Sequence, residues 1–293
     1  NFRPMRNSIY LFLLITGMLL GCTQSNTENK IKHTHIVVDD MGRKIDLPIS
    51  PTRIISLTPS ISELLYTFID SSRIVGRSAW CDYPEGIKTK PVINSYPVDI
   101  EALVRLKPDL ILVKKGMISI QDLEKLEQLH QTVFVQEYDL MKDIRKSATT
   151  LVQLTKGDTL QLNQWLVRLK NNSSAIKNTK KFLAITSVNP VYVYGKKTFL
   201  SELAEFAGGE NCVQLIDNPY PTIDVEYMLR SNPEVYIFDS EAQKALFFET
   251  YPILKKTIGF QESKLYVIDA SVMSRPGIRL PILKDSITAI MNR

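Results

Sequence analysis

The sequence predicts an α/β protein of two lobes with a cleft between them. Three observations carry this: strand-like apolar runs that feed directly into helix starts, a long helical apolar pattern at mid-chain, and a motif that recurs on both sides of that pattern.

The elements follow in order. Ile36–Val38 and Arg43–Leu47 flank Asp39-Asp40-Met41-Gly42, where glycine allows the positive φ of a tight turn, so a hairpin is expected. Arg53–Leu57 is a short apolar strand that runs into Thr58-Pro59-Ser60 and a helix from Ile61 to Phe68. Ser60 and Glu63 have capping-box spacing, and Pro59 suits a helix entry. Strand-like runs return at Asp109–Val113 and Thr132–Val135. Between Asp143 and Lys180, Leu151, Leu154, Leu162, Leu166, Leu169 and Ile176 keep helical spacing, interrupted only by Lys156-Gly157-Asp158. This predicts one long connecting helix; the alternative is two ordinary helices broken at Gly157. Alternation then resumes with strand Phe182–Ser187, helix Phe199–Ala207 stopped by Gly208-Gly209, strands Val235–Phe238 and Leu265–Ile268, and a terminal helix from Leu280.

The recurring motif is Asp99-Ile-Glu-Ala-Leu-Val-Arg-Leu-Lys-Pro-Asp-Leu110, which lies 125 positions before Asp224-Val-Glu-Tyr-Met-Leu-Arg-Ser-Asn-Pro-Glu-Val235. Each copy reads as an Asp-capped helix with Glu in its first turn, broken before Pro and followed by a buried strand. Flanking the same connector, the copies divide the chain into a lobe at 36–142, a linker at 143–180 and a lobe at 181–293, and a ligand belongs at their interface.

The amino terminus carries an address. Arg3 and Arg6 precede an apolar run, Ile9–Leu20, that ends in Leu19-Leu20-Gly21-Cys22, with Met5 as the expected start. A basic flank, a short apolar stretch and a small residue at the cut describe an export signal over 1–21. Twelve helical residues reach only about 18 Å, too short for a bilayer core of roughly 30 Å. The ending resembles a bacterial lipobox, with Cys22 as the lipidated first residue of the mature chain. A plain secreted protein with an incidental Cys22 is the alternative. Residues 22–35 read as a polar tether. Removing 1–21 leaves 34 cations against 31 acids, a net charge of +3.

Composition excludes several classes. The chain has 293 residues, 44% hydrophobic and 23% charged, which is globular rather than disordered. Cys22, Cys81 and Cys212 cannot build a zinc module or a disulfide scaffold, and His33, His35 and His130 cannot build a histidine cage. The formal charge of +5 is spread along the chain, so nucleic acid is not implied as a partner. An exported hydrolase, the remote alternative, lacks a Gly-x-Ser-x-Gly elbow and a His-Glu-x-x-His motif. Gly195-Lys196-Lys197-Thr198 lacks the upstream glycine of a phosphate loop.

The run Arg53-Ile-Ile-Ser-Leu-Thr-Pro-Ser-Ile-Ser-Glu-Leu-Leu-Tyr66 resembles the first strand–helix unit of class III periplasmic substrate-binding proteins, which serve ABC importers of vitamin B12, haem and ferric siderophores. Cys81-Asp-Tyr-Pro84, Lys107-Pro-Asp-Leu110, Asn189-Pro190, Gly208-Gly-Glu-Asn211 and Arg275-Pro-Gly277 resemble the family's pattern in the same order, from about Val37 to the C-terminus. Within the group the chain looks most similar to vitamin B12-binding proteins. The resemblance implies two Rossmann-like lobes joined by a single long α-helix, a ligand cleft between the lobes, little closure on binding, and no chemistry or cofactor of its own.

It also implies site residues. Trp80 matches an aromatic that the B12 binders lay on the corrin ring, and a flat macrocycle gains from rigid aromatic faces; a core tryptophan is the alternative. Tyr220, between Pro219 and Pro221, matches an aromatic on the opposite lobe, with a surface turn as the alternative, and Tyr96 is a weaker candidate of the same kind. One of Tyr192 and Tyr194 is expected in the core from strand alternation. Arg275 sits where the family places a polar ligand contact; Arg279 is an equal candidate by position. Lys114-Lys115 stand where the B12 binders compared have an aromatic, which suits an anionic ferric complex or haem propionates unless both point to solvent. Glu101 and Glu226, equivalent in the two repeats, are the expected docking carboxylates for a permease dimer, each facing an Arg of one subunit; a purely helix-dipole role is the alternative. Cys81 and Cys212 fall in different lobes and could pair only if their Cα atoms met, with Cys81 expected as a small buried residue. The expected whole is a monomeric, lipid-anchored, extracytoplasmic binding protein for cobalamin, or alternatively for haem or a ferric siderophore.

Overall fold

The computed structural model describes residues 34–170 and 179–293. The export segment, Cys22 and most of the tether lie outside the described residues. So does 171–178 of the connector.

The chain begins with an antiparallel hairpin, β1 (Thr34–Val38) and β2 (Lys44–Pro48), turned at Gly42 with φ +78° as expected. Next come β3 (Ile54–Ser56), α1 (Pro59–Phe68), β4 (Ile74–Ser78), β5 (Val92–Ile93), α2 (Ile100–Arg105), β6 (Leu110–Lys114), α3 (Ile120–Gln128) and β7 (Val133–Gln136). β3 to β7 form a parallel sheet in the order β5-β4-β3-β6-β7. The hairpin covers its β7 edge: Asp40 N–H donates to Val135 O at 3.1 Å, and Arg43 donates to Val133 O at 3.0 Å.

The connector is two helices, α4 (Met141–Thr155) and α5 (Thr159–Arg168), so the expectation of a single long helix is corrected and the break at Gly157 stands. Lys156 adopts the left-handed conformation, with φ 51°, and Gly157 N–H bonds Val152 O at 2.9 Å. The break is seated on the end of α1. Asp158 N–H donates to Phe68 O at 2.7 Å, and a Cβ at Gly157 would meet that same oxygen at 2.8 Å. Asp158 then caps α5, its side chain accepting from Leu160 and Gln161 N–H. Apolar periodicity runs through such a break because both helices bury the same kind of face.

The second half contains β8 (Lys180–Val188), β9 (Val191–Val193), α6 (Phe199–Phe206), β10 (Gly209–Asn211), α7 (Val225–Ser231), β11 (Val235–Phe238), α8 (Glu241–Thr250), α9 (Ile258–Gln261), β12 (Leu265–Val267), α10 (Ala270–Met273) and α11 (Leu280–Asn292). Its parallel order is β10-β8-β11-β12, with β9 antiparallel on β8.

The repeat is structural as well as textual. Asp99 accepts from Ala102 N–H at the start of α2, and Asp224 from Tyr227 N–H at the start of α7. Lys107 and Asn232, at matching places before the prolines, both have φ 47°. Asp109 N–H donates to Arg53 O and Glu234 N–H to Lys181 O, each at 2.9 Å, and the two carboxylates accept in return from the backbone N–H of Arg53 and of Lys181. Strands β6 and β11 therefore start in register with β3 and β8 by the same device.

Alternation along the buried strands sorts side chains between cores. Ile55, Ile111 and Val113 face an N-terminal core, and Leu183, Tyr236 and Phe238 face a C-terminal one. Their neighbours Ile54, Leu110, Leu112, Phe182, Ala184 and Ile237 belong instead to one continuous core with Leu151, Val152, Trp165 and Leu169 of the connector and with Leu283 of α11. Trp165 packs edge-on against Phe68 and donates its indole N–H to Ile278 O at 3.1 Å. Both sheets thus share close-packed interior through the connector, which resists relative rotation of the lobes.

Candidate functional site

A cavity of about 460 Å³ opens at the carboxyl ends of the N-terminal strands. Leu57, Thr58, Pro59 and Ser60 line it from the β3–α1 junction, with Trp80 and Ser95 from neighbouring loops and Lys114 and Met117 at and beyond the end of β6. Ser274, Arg275 and Pro276 close it from the C-terminal half. The cavity therefore lies between the two halves of the molecule.

The start of α1 is chemically open. Thr58 occupies the N-cap, yet its side chain makes no cap bond; its Oγ1 accepts instead from Lys114 N–H at 2.9 Å. Pro59 brings no N–H and Ser62 N–H bonds Thr58 O, so the N–H groups of Ser60 and Ile61 keep their donor capacity at the positive end of the helix. The expected Ser60–Glu63 capping box is not formed. Pro59 already belongs to the helix, and Glu63 turns inward to meet Arg279, with Glu63 Oε1 2.6 Å from an Arg279 nitrogen. Glu63 is 1% exposed, and Arg279 also donates to Ser271 and lies 4.3 Å from the Tyr83 ring centroid. Burial pushes the Glu63 carboxyl above its ordinary value, and the bonds and charge of Arg279 hold part of that rise back. A Cβ at Gly277 would come within 2.6 Å of Glu63 Oε2, so the Arg-Pro-Gly loop needs glycine to approach α1.

Among the residues expected at the site, Trp80, Lys114 and Arg275 line this cavity together. Trp80 is 68% exposed, which rules out the core alternative. Lys114 Nζ lies 2.8 Å from Asp139, whereas Lys115 is exposed beside Glu137 and is not a lining residue. Arg275 is ion-paired with Asp82 of the Cys-Asp-Tyr-Pro stretch. Burial would raise the Asp82 carboxyl, but the hydrogen bond and charge of Arg275 outweigh it and leave it below the ordinary carboxylate range. Tyr96 is exposed and stands beside the lining residue Ser95 without lining the cavity itself. Tyr220 is also outside the lining. It is 40% exposed, packs edge-on against the buried Tyr194 at 5.6 Å, and has its phenol pushed up by burial and by the charge of Asp139. Tyr194 is the core member of the Tyr192/Tyr194 pair.

Cys81 is buried, with its Sγ 2.9 Å from Ser62 Oγ and 3.1 Å from Ser78 Oγ, and burial raises its thiol. Cys212 lies in the other half, pushed up to about 12 by burial. Both are free thiols. Glu101 and Glu226 occupy the first turns of α2 and α7 and are exposed, with no ion pair or hydrogen bond among the described residues. Glu63, Asp82, Asp139 and Met117 were not foreseen as part of the site or its supports. Asp82 and Glu63 each lay inside a quoted motif, Glu63 read there as a helix cap; Asp139 and Met117 carried no signal. Among the described residues no group of His, Cys, Asp and Glu could hold a metal ion, and no helix is long and apolar enough to cross a membrane.

Comparison with known proteins gives this architecture its relatives. A "vitamin B12-binding protein" of Vibrio vulnificus is 25% identical over 236 residues, covering 76% of this chain and 84% of its own length. The crystal structure of the periplasmic vitamin B12 binding protein BtuF of Vibrio cholerae superposes with a TM-score of 0.72 at 22% identity, over 84% of this chain and 98% of that one. The periplasmic heme-binding protein BhuT in complex with two hemes superposes with a TM-score of 0.73 at 18% identity, over 83% and 98%. The two-lobed fold is shared with these structures, and membership of the periplasmic binding protein family makes the class that of an extracytoplasmic solute-binding protein, not an enzyme. The family model for periplasmic binding proteins matches residues 54–272, and the chain belongs to that family, in its class III branch, the substrate-binding components of ABC importers that work with a permease.

Proposed function

We propose that this protein binds a corrinoid, with cobalamin as the ligand, in the cavity between the lobes and delivers it to a permease dimer. The observation that carries the reading is the convergence of an exposed tryptophan, an open helix start and the Arg275 loop on one cavity shared by both halves. Trp80 offers a flat apolar face to the macrocycle, Tyr220 a wall from the opposite lobe, Tyr96 an exposed aromatic at the rim, and Lys114 and Arg275 donors to its polar periphery. The vitamin B12-binding relatives support the same ligand.

Glu101 and Glu226 dock the permease, one per lobe. Equivalent helix starts present them, and rim ion pairs of about 0–1 kcal/mol each orient a complex that must later release. The protein acts as a monomer held to the membrane by a lipid on Cys22. A second reading, haem or a ferric siderophore, draws on Lys114 and Arg275 as cations in the cleft and on the haem-binding structural relative.

The test is a titration of the purified protein with cyanocobalamin, haem and ferric siderophores, followed by tryptophan fluorescence and calorimetry. Saturable corrinoid binding is expected. Submicromolar binding of an iron complex alone would replace the ligand while keeping the class. Mass spectrometry of the membrane fraction is expected to find a diacylated or triacylated Cys22; an unmodified cysteine there would remove the anchor.

A further inference from the structure

The cavity has two charged lining residues, Lys114 and Arg275, and both are cations. Each is already met by a carboxylate that is not itself a lining residue. Asp139 lies 2.8 Å from Lys114 Nζ, and Asp82 is ion-paired with Arg275 across the two lobes. Both aspartates are half exposed, with 49% and 47% of their side chains accessible, so neither is needed to fill the core.

We infer that Asp82 and Asp139 are specificity-determining residues: they neutralise the cleft's two cations and so set the site for a ligand with an uncharged, hydrogen-bonding periphery while discriminating against polyanions. An incoming carboxylate or catecholate meets a cation whose charge is already neutralised, and the aspartate beside that cation repels it. An amide carbonyl faces no such exchange. An ammonium has three donors and a guanidinium five, so each cation keeps donors free while its aspartate stays bound. The open start of α1 adds neutral N–H donors to the same cavity. The inference rests on the reading of this cleft as the ligand site, and it makes the two aspartates, rather than the two cations, the choosers of charge class.

The experiment compares the full chain in mild detergent with Asp82→Asn, Asp139→Asn and the double variant. Cyanocobalamin, neutral overall with amides around its corrin rim, serves as the amide-periphery probe and haem, with its two propionates, as the anionic one, each at low and high salt. Each freed cation should tighten haem binding roughly fivefold at low salt, and high salt should erase most of the gain, while cyanocobalamin affinity stays within about threefold. Lys114→Gln added to Asp139→Asn should return haem affinity to the parent value, a reversal that a merely structural effect of Asp139→Asn would not give. Equal haem affinity in the parent and the double variant overturns the inference, whatever cyanocobalamin does. So does a gain that survives Lys114→Gln. A parent that fails to bind cyanocobalamin, with the haem gain intact in the double variant, removes the corrinoid reading and leaves the role of the aspartates standing.

Discussion

The two lobes start from the same strand–helix plan and part company at the first helix. In the N-terminal lobe, β3 passes straight into α1, whose cap residue Thr58 spends its hydroxyl on Lys114 N–H and leaves the helix start facing the cavity. In the C-terminal lobe, β8 first folds back into β9, and the equivalent helix α6 begins at the buried Thr198, which accepts from Ser201 N–H. One helix start is available to a ligand and the other is satisfied internally. Elsewhere the halves agree closely: the Asp caps, the left-handed residues before proline and the carboxylate ties between strands all recur. The shared parts build the frame. What differs lies at the cleft, and there a few loop residues decide which lobe carries the chemistry.

The largest expected effect tests what holds the lobes together. Glu63→Ala leaves Arg279 with 11% of its side chain exposed and no carboxylate, and should cost about 3–5 kcal/mol in urea unfolding. A loss under about 1 kcal/mol would show that the shared apolar core alone fixes the lobes. Next, Trp80→Ala should weaken corrinoid binding by about 2 kcal/mol, near thirtyfold, and Tyr220→Ala by about 1 kcal/mol, with calorimetry as the check. Unchanged affinity in both would detach the aromatics from the cleft. Thr198→Ala should cost about 1 kcal/mol of stability with ligand affinity intact, since its helix start is closed off. If it altered binding instead, the contrast between the two helix starts would fail. Smallest in stability are Glu101→Ala and Glu226→Ala, each within about 0.5 kcal/mol, because both carboxylates are exposed. The double variant should keep ligand affinity and lose uptake in cells; normal uptake would end their docking role.

Much of the frame was legible because its signals are local. Alternating runs, Asp caps and Pro breaks place β3, β6, β8, β11, α2 and α7 within a few residues of where they stand. Trp80 and Arg275 were named through the resemblance of the stretches around them to the family's pattern. The connector was less legible: leucine spacing continues through Lys156-Gly157-Asp158 because α4 and α5 each bury an apolar face, and the break is decided by the carbonyl of Phe68, far off in sequence. Glu63 misled for a related reason. Its position three after Ser60 fits a cap, but its partner Arg279 is 216 residues away.

By itself, then, the sequence determined what depends on neighbours along the chain: the α/β alternation, the repeated helix–strand unit, the pairing of equivalent glutamates and the loops that hold the cleft residues. Tertiary structure decided which charges meet. Lys114 with Asp139, Arg275 with Asp82 and Glu63 with Arg279 are pairings across strands and lobes. Electrostatic partnership is set by distance and burial in space, and no periodicity along the chain encodes it.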